Sequence, residues 1–204
     1  MKIMTANESH YLYASIICDT MFESAKARGT GIAKRTPELI IEKMKEGNAI
    51  IALDGQNFVG FCYIETWDHE KFVANSGLIV NPEYRGMGMA RKIKNKIFEL
   101  SKEKYPDAKI FSITTGLAVM KMNSDLGYKP VTFSELPQER AFWKGCQSCP
   151  NFDVLQRTNY KMCLCTGMVY NPEEHQAKFM SLNAYNQRQQ RKETAYQEPQ
   201  VQVI

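Results

Sequence analysis

The sequence predicts a mixed α/β fold, and three observations predict it. The apolar run Leu78-Ile79-Val80 stops at Asn81-Pro82, and after a glycine-punctuated basic turn Ala90, Ile93, Ile97 and Leu100 recur at helical spacing. Asp54-Gly55 joins two strand-like runs, Ala49-Ile50-Ile51-Ala52-Leu53 and residues 58–64, as the turn of a tight hairpin. Further on, a strand over residues 109–114, a helix over residues 117–125 closed by Gly127, and a strand over residues 128–133 follow one another. Antiparallel pairing is therefore expected early, and a crossover helix later.

The elements can be justified in order. Asn7 or Ser9 opens a helix over residues 7–27, with Tyr11, Ile16, Met21 and Phe22 among its apolar positions, and Arg28-Gly29-Thr30-Gly31 breaks it. Thr36 caps a second, shorter helix with Pro37 at its first position, carrying Leu39, Ile40 and Met44 and ending at Gly47. The hairpin follows. A polar turn at Asp68-His69-Glu70 leads into a strand over residues 72–80, and the helix behind the glycine turn runs to about residue 104. Arg91, Lys92, Lys94 and Lys96 fall largely on its outer faces. From Asn171 onward the composition changes: Gln187, Gln189, Gln190, Gln197, Gln200 and Gln202 sit among charged residues. This 171–204 tail offers too little apolar surface to offset ordering entropy and is expected to be a mobile, solvated appendage, with a helical start near Pro172-Glu173-Glu174.

The 204 residues suit one domain over residues 1–170 plus that tail. A net charge of +4 tolerates an anionic ligand but is too small and scattered to argue for nucleic acid. The first residues lack the apolar core of a signal peptide, and no segment approaches a membrane span, so a cytoplasmic protein with no membrane partner is expected. The six cysteines are then expected to be reduced. A homo-oligomer is compatible with all of this.

The turn Arg85-Gly86-Met87-Gly88-Met89-Ala90 carries the chemistry. A strand–turn–helix leaves backbone N–H groups unpaired at the helix start, and with the helix dipole behind them they suit an anion, most naturally a phosphate. Gly86 and Gly88 let the turn take φ > 0 and let a ligand approach the backbone. A tight turn with a helix cap is the plainer alternative. The residues fit Arg/Gln-x-x-Gly-x-Gly/Ala, and the turn resembles the pyrophosphate-binding turn of the GNAT acyl-CoA N-acyltransferases. It is neither the dinucleotide fingerprint, since Arg91 stands where a third glycine belongs, nor a P-loop, since no Gly-Lys-Ser/Thr follows. The order of elements over residues 1–170 is also that of the GNAT fold, a central mixed sheet flanked by helices, and Gly127-Tyr128 matches the Gly-aromatic pair of that family.

A closer resemblance is to the acetyltransferase domain of the N-acetylglutamate synthases. Thr114-Thr115, Gly127-Tyr128-Lys129-Pro130-Val131, Glu135-Leu136-Pro137 and the Gln156-Arg157-Thr158-Asn159-Tyr160-Lys161 segment carry it, with Lys34-Arg35-Thr36-Pro37-Glu38-Leu39 as a looser match. The resemblance implies an acyl-CoA co-substrate, acetyl or another acyl, with Ile79 and Val80 offering backbone groups to its pantetheine arm and Arg85, Gly86, Met87, Gly88, Met89 and Ala90 holding its pyrophosphate. It implies an amine acceptor, glutamate or a related amino acid, near Thr114 and Thr115. Asn123 belongs to the same cofactor site, and it stands where many family members carry a tyrosine that protonates the leaving thiolate. Glu65 is the first candidate for the base that takes the amine proton, against the reading of an exposed strand-end carboxylate. Arg35 suits an acceptor carboxylate through its bidentate fork, against a surface ion pair. A protein or polyamine acetyltransferase and a non-catalytic acyl-CoA sensor are the alternative functions.

Cys146-Gln147-Ser148-Cys149 with Cys163-Leu164-Cys165 supplies four thiols, the number a closed tetrahedral zinc site requires. If residues 146–165 form a hairpin turning at Thr158-Asn159, the two pairs meet, and Cys163 and Cys165 share one strand face. A redox dithiol at Cys146 and Cys149, or four small buried residues, are the alternatives. Cys18 and Cys62 read as core.

Overall fold

A computed structural model describes residues 1–29 and 35–197. Thr30 and Gly31 of the expected helix break, Lys34, Gln200 and Gln202 lie outside the described residues. Two compact units are present, Met1–Tyr170 and Asn171–Ile204.

The first unit is built on a seven-stranded mixed sheet in the order β1-β2-β3-β4-β5-β7-β6. Its strands are β1 (Lys2–Thr5), β2 (Ala49–Asp54), β3 (Asn57–Trp67), β4 (Phe72–Val80), β5 (Lys109–Thr114), β6 (Lys129–Val131) and β7 (Thr166–Tyr170). Its helices are α1 (Ala14–Arg28), α2 (Pro37–Lys45), α3 (Met89–Lys104), α4 (Leu117–Asp125), α5 (Arg140–Lys144) and α6 (Phe152–Arg157). The mixed α/β fold and its order of elements are as expected.

Local chemistry sets the ends. Asn7 Oδ1 accepts from Ser9 N at 3.1 Å and opens a short 3₁₀ segment, Glu8–Tyr13, that runs into α1. Thr36 Oγ1 accepts from Leu39 N at the head of α2, with Pro37 behind it. β1 has no counterpart in the sequence reading. It is four residues long and pairs on one side only, with β2.

The sheet divides the core. α3 covers one face, where Met89, Ile93, Ile97 and Phe98 pack on Ile64, Val73, Ile110 and Tyr128. α1 and α2 cover the other at the β1–β3 end, where Ile17, Met21, Ile40 and Met44 pack on Ile51, Phe61 and Tyr63. A third cluster, Phe111, Phe133, Leu136, Trp143, Leu155 and Val169, lies under the segment between β6 and β7.

Two irregularities position the site. β4 pairs in parallel with β5 only from Phe72↔Lys109 to Ala74↔Phe111, after which the strands part. β3 meets β4 with a register shift, Phe61↔Ile79 but Tyr63↔Ser76, so β4 carries an extra residue there. Gly77 fills it at φ 64°, and a Cβ on it would meet Tyr63 and Met21 side-chain atoms at 2.6 and 2.7 Å.

The expected cysteine hairpin does not form. Residues 146–165 hold α6 followed by a turn in which Asn159 and Tyr160 have φ of 50° and 62°. Phe152 and Leu155 share one helix face and pack in the third cluster, and that burial selects helix over strand.

In the second unit residues 172–197 form one continuous helix, α7 (Pro172–Gln197), with Glu173 and Glu174 in its first turn. Only its start was expected to be helical. Acidic residues at the N-terminus favour the helix dipole, and the glutamine-rich stretch contains good helix formers.

Candidate active site

β4 is an interior strand with an open edge. From residue 75 onward nothing in β5 pairs with it, while residues 112–114 of β5 pair only with β7. Asn81 N donates to Val59 O on the β3 side, so the backbone groups of alternate residues, Val80 among them, turn to the other side and face a fork between two strands. Both side chains are buried, Ile79 in the α1/α2 core and Val80 beneath α3.

The strand leads straight into the glycine turn. Asn81 Nδ2 donates to Phe58 O at 3.0 Å and fixes the exit from β4. Gly86 and Gly88 have φ of 79° and 73°, and nothing lies within 4 Å of where their Cβ atoms would stand. Gly88 is the N-cap of α3, and no side chain caps that helix. The open space over the amides of Gly86–Ala90 is a cradle of the kind an anionic group fills. Met87 is exposed and Met89 is buried in the core. The Arg85 side chain does not point into open space. Its Nη2 donates to Ser24 Oγ at 2.8 Å and its Nε to Val80 O at 3.3 Å, so it ties the turn to α1.

On the other face of β3 three predicted or neighbouring groups meet. Arg35 pairs with Glu65 at 3.6 Å, and the Arg35 Nε donates to Tyr63 OH with the guanidinium carbon 5.7 Å from the ring centroid. Both charged side chains are largely covered, 17% and 20% exposed. The two residues assigned separate roles from sequence are thus one ion pair. Tyr63 was missed. Burial and the neighbouring Glu65 push its phenol above its ordinary pKa, so it stays a neutral hydroxyl. Its signal was the alternation Phe61, Tyr63, Glu65 along β3, which puts the three on one face.

Asn123 is fully buried in α4. Its Nδ2 lies 3.7 Å from Met168 Sδ, and its Oδ1 has no hydrogen-bond partner. Thr114 Oγ1 accepts from Gly116 N at 3.0 Å at the end of β5, and Thr115 is exposed beyond it.

Cys146, Cys149, Cys163 and Cys165 line one cavity of about 20 Å³ with Phe133, Trp143, Phe152 and Leu155. All four are free thiols. Burial first and the neighbouring thiols second push Cys146 up to about 11 and Cys165 up to about 12, so both are protonated at neutral pH. Among the described residues no group of three or more His, Cys, Asp or Glu is arranged to hold a metal ion. The Arg35 charge opposes the upward shift of the Cys146 thiol and is the smallest of its causes. Glu139, just before α5, accepts from Asp68 N at 2.6 Å and ties the segment between β6 and β7 to the end of β3, where Asp68, His69 and Glu70 all have positive φ.

The model of the Acetyltransferase (GNAT) family matches residues 19–121, just over half of the chain. The protein belongs to this family. A search of curated proteins finds no match. Among solved structures it is similar to the N-acetylglutamate synthase from Neisseria gonorrhoeae complexed with coenzyme A and N-acetyl-glutamate, at a TM-score of 0.58 and 14% identity over 83% of this chain. It spans only 34% of that synthase. It is similar to Rv2747 from Mycobacterium tuberculosis in complex with CoA and NLQ, at 0.58 and 10% identity, over 84% of this chain and 99% of that one. The ribosomal-protein-S18-alanine N-acetyltransferase from Escherichia coli follows at 0.53 and 10% identity, over 83% and 92%. At these identities the likeness is one of fold. Among the described residues no helix is long and apolar enough to cross a membrane.

Proposed function

We propose that this GNAT protein moves an acyl group, acetyl or succinyl, from acyl-CoA to the α-amine of glutamate or a related small amino acid in the cytoplasm. The observation that carries the reading is the fork. An interior strand loses its neighbour after Ala74 and then runs directly into an uncapped, glycine-lined helix start. An extended arm with amide groups can complete the open edge at Ile79 and Val80, and a pyrophosphate can sit on the amides of Gly86–Ala90. When bound, the CoA thioester supplies an activated carbonyl. The chain's own residues do the rest. A backbone N–H of Ile79 or Val80 polarises that carbonyl, and both reactants are held in one cleft.

Glu65 takes the proton of the attacking amine, directly or through water. Arg35 holds an acceptor carboxylate with the guanidinium donors its Glu65 contact leaves, and Tyr63 OH steadies it. What supports an amino-acid acceptor is this covered cation beside a covered carboxylate, which matches the two charges of an amino acid. The test is CoA release from acetyl-CoA and succinyl-CoA with a panel of amino acids, N-terminal and lysine peptides, and polyamines. Turnover of glutamate or a close analogue is expected. Turnover of peptides or polyamines alone would replace the acceptor, and binding of acyl-CoA without any turnover would make the protein a sensor.

We also propose a structural zinc ion on Cys146, Cys149, Cys163 and Cys165. What supports it is the convergence of all four on one cavity. The thiols would have to release their protons and turn inward, and the metal would supply the energy for both.

A further inference from the structure

The acyl-transfer reading leaves one buried charge unused. Lys94 lies on the core side of α3, not on an outer face, and is 2% exposed. Its Nζ donates to Asn75 Oδ1 at 3.0 Å and to Tyr128 OH at 3.2 Å, and stands 4.8 Å from the Tyr128 ring centroid. Tyr128 OH donates to Asn75 Oδ1 at 3.1 Å, and Asn75 Nδ2 donates to Ser101 Oγ at 2.8 Å. The titratable groups that face Lys94 are Cys62 from β3 and Tyr128 after α4, with Tyr170 of β7 beyond the Tyr128 ring. Among the described residues no carboxylate pairs with it. A buried ammonium with neutral partners is costly, and an anion brought near it would offset part of that cost.

Its place in the fold says where that anion forms. Asn75 is the first residue of β4 past the last β4–β5 pair, so the Lys94–Asn75–Tyr128 network stands at the apex of the fork. Tyr128 closes α4, and its backbone N–H donates to Asn123 O at 3.0 Å. Asn123 is the buried residue whose Oδ1 lacks a donor, and the resemblance drawn from the sequence puts it where many family members carry the phenol that protonates the leaving thiolate. With no phenol there, the charge on the leaving sulfur needs another stabiliser.

We propose that Lys94 is a positioning residue whose positive charge stabilises the negative charge passing to sulfur when a thioester held in the fork is cleaved. This rests on the acyl-CoA reading above. In the step, the acceptor nitrogen forms the C–N bond and the C–S bond breaks with its electron pair on sulfur. The nitrogen's proton goes to Glu65 or water, and sulfur leaves as thiolate, taking a proton from water on release. Lys94 acts through the interior as a fixed charge held in place by Asn75 and Tyr128, which needs no reorganisation. Burial pushes its ammonium down to about 8, so the charge is present at neutral pH and fades above it.

The experiment uses CoA itself. The thiol of bound CoA is titrated by its thiolate absorbance in wild type, Lys94→Met and Lys94→Gln, and affinities for CoA and desulfo-CoA are measured by calorimetry. The bound thiol is expected to ionise about one pH unit lower in wild type than in either variant. Preference for CoA over desulfo-CoA should drop about tenfold in the variants, and kcat about a hundredfold with the KM for acyl-CoA nearly unchanged. Wild-type kcat should fall as pH rises through about 8, and that limb should be absent in the variants. Equal losses of CoA and desulfo-CoA affinity, or an unchanged thiol titration, would overturn the assignment. If neither variant folds, wild type alone decides, since a bound thiol that ionises like free CoA refutes it. A wild-type protein that binds neither CoA nor desulfo-CoA refutes the acyl-CoA reading itself, and this one with it.

Discussion

The two sides of the β3–β4 hairpin solve recognition differently. On the fork side, the candidate cofactor cleft is made of backbone: an unpaired strand edge, two glycines at positive φ and an uncapped helix start. On the α1/α2 side, the candidate acceptor site is made of side chains from distant positions, with Arg35 in contact with both Tyr63 and Glu65. Backbone recognition suits a shared, invariant ligand part such as a pyrophosphate. Side-chain recognition can change with the acceptor while the fold stays put. Substitutions on the two sides should therefore separate cofactor from acceptor effects.

The largest effect is expected at the glycine turn. Gly88→Glu places a β-carbon at φ 73° and a carboxylate over the amide cradle. Left-handed strain and charge repulsion together should weaken acyl-CoA binding about a hundredfold. Calorimetry on the folded variant checks it, and wild-type affinity would move the cofactor elsewhere. Next comes the cysteine cavity. Cys149→Ser should abolish about one zinc per chain and lower the melting temperature by about 5–10 °C, with acyl-CoA affinity intact. Metal-free wild type by elemental analysis, with unchanged stability in the variant, would leave the four thiols as packing residues.

Arg35→Ala should raise the KM of the acceptor about tenfold and leave that of acyl-CoA within about twofold, since it removes a charge-assisted fork on one side of the hairpin only. Equal changes in both constants would mean that the two sides are not separable. The smallest effect is one of stability. The folded ammonium of Lys94 titrates near 8, and an unfolded lysine near 10.5. The unfolded chain binds the extra proton, so near neutral pH this group destabilises the fold, and the penalty disappears as pH rises from about 8 to 10.5. Lys94→Met should be more stable than wild type by about 1–2 kcal/mol at pH 7, after its lost hydrogen bonds are subtracted, and the order should reverse by pH 10.5, because wild type regains about 3 kcal/mol over that range while the hydrogen bonds stay lost in the variant. Chemical denaturation across that range reads it directly.

The same contrast decides how much could be read in the sequence. Gly86, Gly88, Pro82 and the 3.6-residue period behind them are local signals, and β4, the turn and α3 follow from them with near-matching limits. Thr36-Pro37, Asp54-Gly55 and Gly127 are local too, and α2, the β2–β3 turn and the end of α4 fall where they indicate. The parting of β4 from β5 leaves no mark in either strand, because it depends on which neighbour each strand finds. Arg35 and Glu65 meet from positions 30 apart in the chain, with no periodicity to announce it. Lys94 was placed on the solvent side because lysine is seldom buried, and only the Asn75–Tyr128 network overrides that preference. The cysteine segment was read by its ligand spacing, while its folding is set by Phe152 and Leu155, which need a helix to reach the third cluster.

One feature joins the two sides. Gly77 sits in the β4 bulge with the Tyr63 ring and the Met21 methyl pressed where a β-carbon would be. There is no slack at that point. A side chain at position 77 would have to push the Tyr63 ring or the Met21 methyl aside at a positive φ, so the bulge accepts glycine, and a substitution there would disturb the strand edge of the fork and the phenol beside Arg35 together.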